Sequence, residues 1–202
     1  MKGHEEKGGR GTRSSRNDRG FISYYLSYFA RPLKTFGLLL NDARRVRYAV
    51  FSALVPAVGY TLMYLLGRTA GGSPSSFKPW LAIPIEQYFK WDIFIVAPSM
   101  YACWVLASRV VQLLSRPLSG SGSFEDTAAA AGFGIGIATW SSLVHDLTDA
   151  ALGAIGIIDM KDYEAALNSP TFWRALLWTL YSFYFVWFLA LFSKGVGLAH
   201  KI

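Results

Sequence analysis

Charge is scarce in this chain and cysteine is nearly absent. Of its 202 residues only 16% are Asp, Glu, Lys or Arg, whereas soluble domains carry about a quarter, and 52% are hydrophobic. That composition excludes an ordinary water-facing surface. The single cysteine, Cys103, excludes an intrachain disulfide and gives no indication of compartment. Four stretches lack charge altogether: 48–66, 93–108, 128–144 and 175–193. A helix rises about 1.5 Å per residue, so about 20 apolar residues cross the roughly 30 Å hydrocarbon core of a bilayer; with their apolar flanks these runs are long enough. Backbone amides left unpaired in hydrocarbon are costly, so such runs cross as helices. The sequence therefore predicts an all-α, polytopic transmembrane bundle of four spans, at about 48–66, 91–114, 127–144 and 172–193.

The charges that are present are unevenly placed. Eleven of the 20 Lys and Arg residues precede Tyr48, with only Glu5, Glu6, Asp18 and Asp42 among them. By the positive-inside rule the N-terminus is cytoplasmic. With four spans, the cytoplasmic side then holds fifteen cations and the outer side five: Arg68, Lys78, Lys90, Lys161 and Arg174. Without the first 20 residues the bias is still nine to five. The location that follows is a membrane, with the N-terminus on its cytoplasmic side.

Residues 1–20 contain no large apolar side chain after Met1 and are expected to be a disordered basic tail. No aromatic residue interleaves with their arginines, which argues against a nucleic-acid partner. From 21 to 41 the chain turns aromatic and amphipathic. Phe29, Leu33, Phe36 and Leu40 recur at helical spacing, Pro32 suits a first helical turn, and Phe21, Tyr24, Tyr25 and Tyr28 suit headgroup depth. This reads as one interfacial helix or as a structural lead-in to the bundle. Arg31, Lys34, Arg44, Arg45 and Arg47 are its candidate contacts to lipid headgroups, and membrane lipids are the expected partners.

Chemistry-bearing patterns are few. Loop 115–127, SRPLSGSGSFEDT, has glycine and serine but lacks the Lys-Ser or Lys-Thr of a phosphate-binding loop, and Thr127 reads as the start of the third span. In that span Ala128, Gly132 and Gly136 form a strip of small residues for close approach of another helix, either a neighbouring span or a second copy in a homo-oligomer. His145 and Asp149 share a helical face and are two candidate metal ligands, with no third nitrogen ligand near and with Asp159 and Asp162 as further ligands that the sequence does not place. A polar break before a short re-entrant or interfacial segment, 150–158, accounts for them equally well. Asp92 and Asp146 are the acids that a transport path would use. No catalytic constellation and no cofactor site is expected.

The order of features carries a resemblance. A lead-in ending YFARPLKTFGLLL, the loop GSGSFEDTAAAAGFG and the terminal SKGVGLAHKI together resemble the prokaryotic branch of the Yip domain family, from about Phe29 onward. The resemblance implies a five-span helical membrane domain with a cytoplasmic N-terminus. Eukaryotic members bind prenylated Rab-type GTPases, but their Asp-Leu-Tyr-Gly-Pro signature has no counterpart here, so Rab binding is not implied. A further span follows the SKGVGLAHKI-like pattern in the family, which leaves this chain one span short. The resulting expectation is a non-enzymatic scaffold or membrane-organising protein. Its rivals are a small transporter or channel subunit and a metal hydrolase built on His145 and Asp149.

Overall fold

The computed structural model describes residues 19–73 and 83–202. The expected tail up to Asp18, with His4, and loop residues Lys78, Trp80 and Leu81 lie outside the described residues. All regular structure among the described residues is helical: α1 Phe21–Ala30, α2 Pro32–Leu40, α3 Arg45–Thr69, α4 Tyr88–Ser115, α5 Phe124–Ala138, α6 Trp140–Ala154, α7 Met160–Asn168 and α8 Phe172–His200. Among the described residues three helices are long and apolar enough to cross a membrane. They are α3 with 25 residues, α4 with its flanking 3-10 turns (Ile85–Leu118) with 34, and α8 with 29. Helices α5 and α6 meet the same test only as a pair bent by 45°, giving up to four spans if the pair is one.

Helix α5 is the hub, and its composition explains why. Its FEDTAAAAGFGIGIA sequence offers little bulk, and 127–134 and 136–138 are buried against α3, α4 and α8. The glycines set the closest approach. A Cβ at Gly132 would lie 2.7 Å from the Ala49 carbonyl oxygen of α3, and one at Gly136 would overlap Ser52. Gly132 and Gly136 of the strip thus pack inside their own chain, on α3, and Ala128 is buried with its carbonyl accepting from Trp104 of α4. On another side of α5, Ala130 meets Gly195 of α8.

Helix α5 starts at Phe124, one turn earlier than Thr127. Ser123 accepts from the Asp126 amide while the Asp126 carboxylate accepts from the Ser123 amide, a capping box that satisfies two otherwise orphaned donors. Arg45 then bonds Asp126 at 2.7 Å and Glu125 at 2.9 Å, fastening the start of α3 to the start of α5. His200 closes the same end. Its side chain is buried, its Nε2 lies 2.7 Å from Thr127 Oγ1, and its carbonyl accepts from the Ser121 amide. Helix α8 consequently continues to His200, past the 193 limit read from hydropathy.

The 21–41 stretch is two helices rather than one. Pro32 disfavours α conformation at the residue before it, and Arg31 sits at φ −143°, ψ 66° between α1 and α2. That break dissolves the expected apolar face. Phe36 is fully buried, whereas Phe29 and Leu33 are 39% and 43% exposed. Tyr24, Tyr25 and Tyr28 lie in the core against α3 and α5 instead of at a surface. Tyr25 donates to the Gly136 carbonyl at 2.6 Å and accepts from the Trp140 indole at 2.8 Å, bridging the bend between α5 and α6. Removing one helix carbonyl from its usual partner is a recognised cause of such bends.

Candidate functional site

The principal polar cluster is built on α6, α7 and α8. His145, Asp146 and Asp149 do not interrupt the helix; α6 runs through them to Ala154, so the expected separate segment at 150–158 is its last turn and the connection that follows. Helix α7 is set by Asp159, whose carboxylate caps the Lys161 and Asp162 amides, and by a small core of Met160, Tyr163, Leu167 and Leu177. Packing of that core turns Tyr163 toward α6. Thr171 caps the start of α8, which brings Tyr181 down beside Asp146.

Five side chains interlock. His145 Nδ1 lies 3.1 Å from both Asp146 Oδ1 and Asp149 Oδ2, and its Nε2 lies 3.2 Å from the Tyr163 hydroxyl. Tyr163 donates its proton to Asp149, and Tyr181 donates to the second oxygen of Asp146 at 2.8 Å. Tyr163 has one proton to give and gives it to Asp149, so His145 sits with Nδ1 between two carboxyl groups and Nε2 beside the Tyr163 hydroxyl oxygen. Burial, followed by the hydrogen bond to Asp149, pushes the Tyr163 phenol above its ordinary range.

Beside this cluster opens a cavity of about 640 Å³ lined by His145, Asp149, Asp162, Tyr163, Trp173 and apolar side chains of α6, α7 and α8. Its hydroxyls are already used by the helix backbone: Thr148 bonds the Val144 carbonyl and Ser141 the Ala138 carbonyl. As metal ligands, His145 and Asp149 bond each other and Tyr163 rather than converging. Among the described residues no group of three or more His, Cys, Asp or Glu side chains has the placement of a metal site. Asp92 is buried on α4, outside the cavity lining.

The basic residues divide into two kinds. Arg31, Lys34 and Arg47 are exposed, with the Arg47 guanidinium 5.4 Å from the Phe51 ring centre. Arg45 is spent on Asp126 and Glu125. Arg44 pairs with Asp42 at 3.1 Å and stacks over Tyr48, and its hydrogen bonds hold the Asp42 carboxyl below the usual range. Arg44 and Arg45 therefore serve the fold. Sequence reading missed Tyr163 and Tyr181 as partners of the α6 cluster because they come from other helices. The one available signal was their type: a phenol is the side chain that satisfies a carboxylate while packing in an apolar helix. Comparison with known protein families, with curated proteins and with solved structures finds no match for this chain.

Proposed function

We propose that the chain is a four-span integral membrane protein of Yip type, with a cytoplasmic N-terminus in a bacterial inner membrane, that organises the membrane around it without catalysing a reaction. The pair α5–α6 is its third span. The observation that supports this reading is the way α1 and α2 are mounted. Their tyrosine and phenylalanine face is buried in the bundle, while Ile22 and Leu26 are 70% and 63% exposed on the other side. Such an aliphatic face suits lipid rather than water. Arg31 between the two helices, Lys34 of α2 and Arg47 in the first turn of α3 are exposed as well, a combination fitted to the acyl chains and anionic headgroups of one leaflet.

In bilayers containing anionic and zwitterionic lipid, the full chain is expected to enrich anionic lipid in its shell, as read by spin-labelled lipids. Each cation near an anionic surface contributes about 1 kcal/mol. Changing Arg31, Lys34 and Arg47 together to Gln should lower the preference at least about fivefold. An unchanged preference overturns the headgroup role. A second reading, a small transporter or channel subunit, is favoured by one observation, the acid-lined cavity between α6, α7 and α8.

A further inference from the structure

The cavity between α6, α7 and α8 has a size, a wall and a charge that together select a ligand class. At about 640 Å³ it lies within the range of pockets that hold small organic molecules. Its wall is apolar: Val144, Leu152, Ile158, Ala166 and Leu180 line it. Its polar side is negative. Asp149 and Asp162 line the cavity, and among the described residues no lysine or arginine does. Asp146 and Asp149 have one imidazole, His145, between them, and Asp162 adds a further carboxyl group to the lining. An anionic ligand would meet carboxyl groups that outnumber the one basic side chain beside them.

Two aromatic rings complete the polar side. Tyr163 and Trp173 both line the cavity and meet edge to face with centres 6.1 Å apart. Faces of Tyr and Trp attract cations, most of all where water is excluded. The site is also held in place from behind, since Tyr181 fixes Asp146, Asp146 fixes His145, and Tyr163 fixes Asp149. We propose that this cavity binds an amphiphile with an ammonium head: the head sits against Asp149, Asp162 and the two rings, and the apolar body lies along Leu152, Ile158 and Leu180. The site is independent of the basic surface at the other end of the bundle.

The test uses the full chain in nanodiscs of phosphatidylglycerol, which supplies no amine. Octylammonium is expected to bind saturably and raise the melting temperature, whereas octanoate, with a similar tail and the opposite charge, should do neither. Asp149→Asn should weaken octylammonium at least about tenfold. Because that change also disturbs the His145 network, Ala166→Trp provides a second variant; it fills the cavity, leaves every charge in place, and should abolish binding. Equal effects of octylammonium and octanoate, or binding that survives Ala166→Trp, would overturn the proposal. Phosphatidylethanolamine doped into the discs identifies the source within the class: competition assigns the site to a bilayer lipid, and its absence to a soluble amine.

Discussion

Gly136→Ala is expected to destabilise the bundle by about 3 kcal/mol, the upper part of the usual range for overpacking a closed interior. The new methyl group would fall on Ser52, and the atoms in its way include the carbonyl group of α3 as well as the serine hydroxyl. A side chain can rotate aside; a helix backbone cannot without moving α3 from α5. The same substitution at Gly37 of α2 is the matched control. Nothing lies within 4 Å of a Cβ there, so alanine should be neutral or add up to about 1 kcal/mol through helix propensity. Denaturant titration of the purified protein in mild detergent separates the two. Equal effects at both positions would show that α3 and α5 are not in glycine-mediated contact.

A comparable loss is expected for Phe36→Ala, about 3 kcal/mol or more, from emptying a fully buried aromatic site. Phe36 packs edge to face on Tyr28 of α1 and lies close to Gly195 of α8, so its removal loosens α2 from both. Leu33, one turn earlier in the sequence and 43% exposed, should cost under about 1 kcal/mol when changed to alanine. A helix merely resting on a membrane surface would reverse that order or flatten it. Thermal unfolding of the two variants side by side therefore reports whether α1 and α2 belong to the core.

Long-range packing, rather than local pattern, marks where sequence reading stopped. Hydropathy runs located α3, α4 and α8, since length and apolarity are local properties. The small-residue strip in α5 was legible for the same reason, and its partner was not: only the fold shows that Ala49 and Ser52 of α3 face Gly132 and Gly136. Helical spacing misled at 21–41, because periodicity across Pro32 assumes a continuous helix that the proline prevents. The polar cluster was half legible. His145 and Asp149 stood out by spacing, while Tyr163 and Tyr181, which turn a polar break into a satisfied network, come from 14 and 32 residues beyond Asp149. His200 lies near the end of the sequence with nothing local to mark it, yet it is buried against the first turn of α5 through Thr127.

The central claim is that α5 and α6, bent at Thr139, cross the membrane as one span and leave the acidic cavity on the side opposite the basic surface. Cys103 is the only native cysteine, so a Cys103→Ser background gives a clean starting point for single-cysteine mapping. Ser119, between α4 and α5, and Ser169, between α7 and α8, are both exposed and suit replacement by cysteine. In intact spheroplasts a membrane-impermeant maleimide should label the Ser169→Cys protein directly and the Ser119→Cys protein only after lysis. Labelling of both from the same side would mean that α5–α6 turns back within the membrane, and would contradict the four-span account.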